Sequence, residues 1–353
     1  MENNLRKMLD IKDFSLEELR VWLKNCGEQE FHASQIFSWI YKKQVQAFDQ
    51  MSDLSQELRK KLKESFFIFG SILKKQEISG DGTEKFLFSL KDVAKDVKFV
   101  ETVVIPAEDR ATVCLSCQAG CRFGCKFCAS GLLGFSRNLS CGEIIEQALF
   151  IKNYLAKKAL THVVMMGTGE PLDNYDNVIK AVKIINSKEG INIGARRITI
   201  STCGLVPGIK RLAEEKMQFE LSVSLHAGTD AVRSRIMPVN KIYALKELVF
   251  ACKEYIFKTG RQITFEYIMI NNLNSSLQEA EGLVRMVKQL GLVKINLIPV
   301  NPVPEYRIEP PNKLEAILFK DALIKAGVNV TLRKARGQDI LAACGQLRLR
   351  YEK

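Results

Sequence analysis

Cys121, Cys125 and Cys128 follow one another as C-x3-C-x2-C within the stretch from Arg110 to Leu139. Thiolates are soft ligands that suit iron–sulfur clusters, zinc or Cu(I). Three of them on one short loop can hold three irons of a cubane cluster and leave the fourth iron without a protein ligand from that loop. An open iron is a site for chemistry, whereas a fully ligated cluster usually only carries electrons. Structural zinc asks for four ligands, as two C-x-x-C pairs or two Cys and two His. The chain has only His32, His162 and His226, none beside the triad. Two further cysteines stand out: Cys114, seven residues before the triad, and Cys344, followed by Gly345-Gln346. Cys-Gly-Gln can form a tight, exposed turn. A thiol there becomes a nucleophile if positive charge lowers its pKa, and Arg333, Lys334 and Arg336 are close in sequence. The competing reading is a buried, inert cysteine, which is preferred for Cys26, Cys203 and Cys252. Cys117 and Cys141 lie near the loop but do not fit its spacing.

More polar groups recur at the ends of apolar segments. His162–Met166 runs into Gly167-Thr168-Gly169-Glu170-Pro171. Glycines admit a ligand to the backbone, and Glu170 can accept from an ammonium group. Alone the motif is an ordinary turn; downstream of a cluster loop it gains weight. Ser201, the run Ser224-Leu225-His226, and Asn301 each close a strand-like segment. In parallel α/β folds ligands sit at the carboxyl ends of strands, so these residues are expected to share one rim.

The elements that must carry this rim can be read from periodicity. Candidate strands are 112–116, 162–166, 197–201, 219–225, 263–270, 294–299 and 328–333, with helical patterns between most of them. Ser140–Glu143 reads as a capping box before Ile144, Ile145, Ala148 and Leu149. Val178, Ala181, Val182 and Ile185 form another helical face, as do Leu277, Ala280, Val284 and Val287. The alternation predicts βαβ units, short of an eightfold barrel. Residues 1–70 read as a small helical domain, with a capping box at Ser15–Glu18 and stripes at Leu19/Leu23, Ala33/Ile36/Phe37/Ile40 and Leu54/Leu58/Leu62. Lys42, Lys43, Arg59, Lys60, Lys61 and Lys63 make it basic, which fits either an RNA-docking arm or a solvated face. Residues 71–105 read as a short antiparallel β extension, with strands at 86–90 and 97–105 and a turn at Gly80–Gly82. The expected architecture is therefore α/β: a partial (β/α)6-type barrel over 106–353, with an N-terminal helical domain and a β extension.

The 353 residues, 46% of them hydrophobic, suit a soluble globular chain. No apolar run approaches a membrane span, and the first residues do not form a secretory signal. Five of the ten cysteines crowd between Cys114 and Cys128, which argues for metal chemistry in a reducing compartment, the cytoplasm. A net charge of +12 points to a polyanionic partner such as nucleic acid.

The triad spacing and its context resemble the radical S-adenosylmethionine (SAM) enzymes. Over nearly the whole chain the sequence resembles one family among them, the RlmN-type dual-specificity adenine-C2 methyltransferases of 23S rRNA and tRNA. The resemblance is carried by Gln35–Tyr41, Glu108–Thr112, Cys121–Leu139, Gly169–Leu172, Ser224–His226, Ile298–Pro302 and Ala343–Leu347. It implies a radical SAM barrel with a 4Fe-4S cluster on Cys121, Cys125 and Cys128, whose open iron chelates SAM. It implies SAM contacts from Gly169, Glu170, Ser201, Ser224, Leu225, His226 and Asn301. Two SAM molecules per turnover follow: the first methylates Cys344, and the second yields a 5′-deoxyadenosyl radical. That radical takes a hydrogen from the Cys344 methyl, and the carbon adds to adenine C2. Cys114 then resolves the adduct through a disulfide with Cys344, and Glu101 accepts a proton. The family implies 23S rRNA and tRNA as partners and an electron donor such as flavodoxin or ferredoxin; we expect a monomer. The sequence departs from the family at Thr168, Val300 and Cys117. The first two are expected to alter the pocket, and Cys117 to add a thiol that exchanges wrongly. A C8-methylating, antibiotic-resistance relative shares the cysteines, but Pro171 and Pro299 favour C2. A non-enzymatic metal-binding RNA protein is the other alternative.

Overall fold

The computed structural model describes residues 8–90, 98–156 and 159–347. The first seven residues of the expected helical domain and Val97 of the expected strand lie outside them.

The N-terminal unit holds β1 (Leu9–Asp10), α1 (Leu16–Asn25), α2 (His32–Phe37), α3 (Gln56–Ser65) and β2 (Phe66–Phe67). The first capping box forms: Ser15 Oγ accepts from Glu18 N at 3.2 Å, and Glu18 Oε2 accepts from Ser15 N at 2.7 Å. Leu19, Leu23, Ile36, Phe37, Leu58 and Leu62 are buried, each worth roughly 1.5–3 kcal/mol. The second stripe does not stay α-helical to Ile40. It widens into a π turn over Ser38–Lys42, which buries both Ile40 and Tyr41. β1 and β2 pair in parallel and bring the two ends of the unit together.

The main sheet begins with β3 (Ile72–Ile78), β4 (Glu84–Leu90) and β5 (Lys98–Pro106), followed by β6 (Ala111–Cys114). A small hairpin of β7 (Gln118–Gly120) and β8 (Phe135–Asn138) precedes α4 (Cys141–Leu155) and β9 (Leu160–Met165). Then come α5 (Tyr175–Asn186), β10 (Ile198–Thr202), α6 (Val206–Leu212), β11 (Glu220–Ser224), α7 (Asp230–Ile236) and α8 (Leu245–Thr259). β12 (Ile263–Met269), α9 (Leu277–Val287), β13 (Val293–Pro299), α10 (Lys313–Lys325) and β14 (Asn329–Leu332) complete the order.

The ten-stranded sheet runs β14-β13-β12-β11-β10-β9-β6-β5-β4-β3. From β6 to β14 all pairings are parallel, and from β3 to β6 all are antiparallel. The β extension thus continues the barrel's own sheet. Successive strand residues point to opposite faces. Ile198, Ile200, Leu221, Val223, Phe265 and Tyr267 join the core beneath the helices, with Ile144, Ile145, Val178 and Val182. The other face of the same strands carries Ser201, Ser224 and Glu266 into the barrel interior. The α9 stripe differs from expectation: Leu277 is exposed, and Ala280, Leu283 and Val287 are buried.

Past β14 the chain crosses toward β3 and β4. Asp339 accepts from Ser79 Oγ at 2.6 Å and Gly80 N at 3.1 Å, and Gly337 N donates to Asp81 Oδ2 at 3.0 Å. Lys85 Nζ donates to Ile340 O at 2.6 Å. The C-terminal segment is therefore a strap latched to the β3–β4 turn, and Cys344 lies on it.

Candidate active site

A cavity of about 140 Å³ opens at the carboxyl ends of the parallel strands. Cys121, Cys125, Cys128, Gly169, Glu170, Ser201, Ser224, His226 and Cys344 all line it. An adjoining cavity of about 390 Å³ is lined by Cys114, Arg110, Asn301, Lys334 and Arg336. The two share a wall that includes Cys128, Met166, Gly167, Ile298, Arg333, Cys344 and Gly345. A groove of about 1020 Å³ across α6, α8 and α9 is larger but holds none of the candidate residues.

The cluster loop starts where the β7–β8 hairpin ends its pairing, and Cys121 N donates to Gly134 O at 2.9 Å. Among the described residues, no three His, Cys, Asp or Glu side chains converge on a single-ion site. The three thiols are instead spread around the wall of one cavity, which fits a multi-iron cluster with one thiolate per iron. Burial pushes the Cys121 thiol up to about 12 and holds those of Cys125 and Cys128 above the ordinary value. Thiolates would be stable here only with a strong positive partner, a role that iron could fill.

Glu170 is 3% exposed, and burial raises its pKa. Its Oε1 accepts from Leu172 N at 3.0 Å and its Oε2 from Cys203 N at 2.7 Å, so the backbone fixes its aim. Gly169 has φ +112°, and a Cβ there would fall 2.7 Å from Gln118 Cβ and 2.9 Å from Cys117 Sγ. Only glycine suits that backbone and that close approach. His226 also has positive φ, +59°, held by Asn274 Nδ2, which donates to His226 O at 2.8 Å. Its Nδ1 accepts from Ile268 N at 3.0 Å, and burial lowers its pKa to about 3. The ring is therefore neutral, with Nε2–H as the remaining donor.

Leu225 and Asn301 lie outside the inner cavity. Leu225 is fully buried, and its N donates to Glu266 O at 3.0 Å. Asn301 Nδ2 donates to Cys344 O at 3.0 Å, and its Oδ1 accepts from Gln338 Nε2 at 2.7 Å. Both brace neighbours of the cavity.

Cys344 does sit on an exposed turn. Gln346 N donates to Ala343 O at 3.0 Å, and Gly345 has φ +83°, where a Cβ would clash with Phe127 O at 2.9 Å. Ala129 N donates to Gly345 O at 2.7 Å and ties the turn to the cluster loop. The expected lowering of its pKa by positive charge does not prevail. Enclosure by the cavity walls raises the Cys344 thiol, and Arg333 only opposes that rise. Cys114 is buried, and burial followed by the nearby Cys344 pushes its thiol to about 12. Both cysteines are free thiols in this structure. Glu101, which as a lone acid in a strand would face solvent, is 3% exposed, with Oε1 3.6 Å from Lys85 Nζ.

Cys117 does not line either cavity. Its side chain is 2% exposed behind Gly169, so the anticipated faulty exchange has no open path. Thr168 is also buried and does not line either cavity, its Oγ1 without a hydrogen-bond partner. Val300 packs with Phe127 and Ile298.

Sequence reasoning missed Glu266 and set Cys203 aside as inert; both line the inner cavity, as does Arg333. Glu266 Oε1 accepts from Asn296 Nδ2 at 3.1 Å and Ser222 Oγ at 3.3 Å, and Oε2 lies 3.8 Å from Arg333 Nη1. The signal was present: Glu266 is the lone acid at an inward position of an alternating strand. In the N-terminal unit, Lys61 pairs with Glu28 at 2.6 Å, Lys63 pairs with Asp49 at 2.5 Å, and Lys60 is exposed.

Residues 9–68 match the ribosomal RNA large subunit methyltransferase N-terminal domain, and residues 115–286 match the radical SAM superfamily. A probable dual-specificity RNA methyltransferase RlmN from Clostridium novyi is 47% identical over 345 residues, covering 98% of this chain and 99% of that one. A protein of the same description from Dictyoglomus turgidum is 46% identical over 349 residues, covering 98% of each. The crystal structure of a radical SAM methyltransferase from Sphaerobacter thermophilus superimposes with a TM-score of 0.90 at 41% identity, over 97% of this chain and 100% of that chain.

Proposed function

The chain belongs to the RlmN family of radical SAM RNA methyltransferases, and on that premise we propose that it methylates C2 of adenine through a methyl group carried on Cys344. One observation carries this reading: Cys344 lies where a cavity lined by the three cluster cysteines meets a cavity lined by Cys114 and basic residues. A 4Fe-4S cluster on Cys121, Cys125 and Cys128, with SAM bound, would supply a carbon radical able to remove hydrogen from a methyl group. Such chemistry is needed because adenine C2 is not nucleophilic.

The residues then divide the work. Glu170 would accept from the SAM ammonium, and that added charge would restore its carboxylate form. Gly169 would let the ligand approach the backbone, and Ser201, Ser224 and His226 would hydrogen-bond the rest of it. Leu225 and Asn301 would hold that lining and Cys344 in place. Cys344 would accept a methyl from one SAM, and a second SAM would serve as radical source. Cys114 would release the product by bonding to Cys344. The proton-accepting role of Glu101 is supported by its position on β5, two residues before Val103, which pairs with Cys114.

The basic outer cavity favours a folded RNA substrate. We take this to be 23S rRNA and tRNA, with a flavodoxin- or ferredoxin-like electron donor, a monomeric enzyme and a cytoplasmic setting. Among the described residues, no helix is long and apolar enough to cross a membrane. Nucleoside mass spectrometry of rRNA and tRNA after anaerobic incubation with SAM and reductant tests the reading. The expected product is 2-methyladenosine. 8-Methyladenosine would contradict the C2 assignment, and RNA left unmethylated with SAM intact would contradict the whole reading.

A further inference from the structure

Arg233 is buried to 0% exposure in α7. That helix abuts the cluster loop: Ile236 O accepts from Lys126 N at 2.8 Å. Every acceptor that the guanidinium reaches is uncharged. Nε donates to Leu225 O at 3.0 Å, and Nη1 to Asn240 Oδ1 at 2.9 Å. Nη2 donates to Cys203 O at 2.8 Å and Ser224 O at 3.1 Å. No ion pair joins Arg233 to a carboxylate among the described residues. Asp230, in the same helix, instead accepts from Asn240 Nδ2 at 2.9 Å and Leu245 N at 2.8 Å.

A buried cation is costly unless an anion offsets it. Burial works against the Arg233 charge; the groups that favour it are the sulfurs of Cys203 and Cys125, and after them the Asp230 carboxylate, which is already engaged by Asn240 and Leu245. Neutral thiols give no offset. Three thiolates around an iron–sulfur cubane do, because such a site carries net negative charge that grows when an electron is added.

We propose that Arg233 is the fixed counter-charge of the cluster site and that its fork also locks the ends of β10 and β11 beside the SAM cavity. The proposal rests on Cys121, Cys125 and Cys128 being the cluster ligands. Arg233 is a positioning residue: it touches neither SAM nor the transferred methyl. Its charge favours the reduced cluster and so raises the midpoint potential.

The test is an EPR-monitored redox titration of anaerobically reconstituted holoenzyme without SAM, with iron content measured in parallel. Arg233→Gln keeps a donor and removes the charge, and Arg233→Lys keeps the charge and loses the fork. Asn240→Ala leaves Arg233 in place and removes one of its anchors, which keeps the test open if both arginine variants misfold. The expected result is a more negative potential for Arg233→Gln and a nearly wild-type potential for Arg233→Lys and Asn240→Ala. SAM affinity should fall several-fold in Arg233→Lys and Asn240→Ala. A wild-type potential in fully loaded Arg233→Gln would overturn the counter-charge role, as would an equal shift in Asn240→Ala. Failure of the wild type to take up iron would instead overturn the ligand assignment beneath it.

Discussion

The two cavities that meet at Cys344 are built in different ways. The inner one is made by the ends of parallel strands and the loops that follow them, and its polar groups are held by backbone hydrogen bonds: Glu170 by two amides, His226 by a third. The outer one draws Val103, Ile105 and Cys114 from the antiparallel side of the sheet and basic residues from the strap. The inner cavity is thus a rigid chamber suited to a small charged cofactor. The outer one depends on a latch between segments remote in sequence, and its positive charge suits a polyanion. On the proposed function, this division would separate radical generation from substrate handling, and Cys344 lines both cavities.

The largest expected effects separate the chambers outright. Cys125→Ala should abolish cluster loading and therefore both SAM cleavage and methylation. Cys344→Ala should lower methylation by about 1000-fold or more while SAM cleavage by reductant persists. Parallel assays of 5′-deoxyadenosine and methylated RNA check this, and equal loss of both activities in Cys344→Ala would dissolve the division.

Next comes the strap. Asp81→Ala with Asp339→Ala removes the acceptors for Gly337 N, Gly80 N and Ser79 Oγ. Each such bond is worth about 0.5–1.5 kcal/mol. Methylation should fall roughly 10- to 100-fold with SAM cleavage nearly unchanged, a pattern that single-turnover assays would detect.

A smaller effect is expected at the charged wall. Arg110→Ala and Lys334→Ala should each weaken RNA binding and lower the salt dependence by about one unit of slope, leaving SAM affinity alone. Binding measured across a salt series checks this.

The last prediction bears on stability alone and concerns the inner chamber's proton balance. The folded pKa of His226 lies near 3, below its ordinary 6.5. Its contribution to stability is complete above pH 6.5 and is lost as pH falls toward 3. The slope approaches roughly 1.4 kcal/mol per pH unit within that window. His226→Gln should flatten the slope in denaturant unfolding between pH 6.5 and 4.

Much of the inner chamber was legible because its signals are local. The cysteine spacing, the capping boxes at Ser15 and Ser140, and strands ending in Ser201 and Ser224 each need only a few neighbouring residues. What escaped depends on distance or on facing. Gly337 meets Asp81 across most of the chain, so neither residue advertises the latch. Glu101, a lone acid in a strand, would ordinarily face solvent yet is buried, and Glu266 was not singled out at all. Cys203 looked inert because its proximity to Glu170 arises from two separate loops. Arg333 did lie near Cys344 as its sequence position implied, yet enclosure of the thiol outweighs the guanidinium. Which term wins there is set by packing, and packing is not written in the spacing of residues.

The claim that joins the two cavities is that the methyl group passes through Cys344. Enzyme carrying a trideuterated methyl on Cys344 can be mixed without oxygen with unlabelled SAM, reductant and RNA, and the products weighed after a single turnover. The account predicts deuterium in the methyl group of the modified adenine and one deuterium in 5′-deoxyadenosine. An unlabelled methyl on the RNA, with the trideuterated methyl still on Cys344, would contradict it.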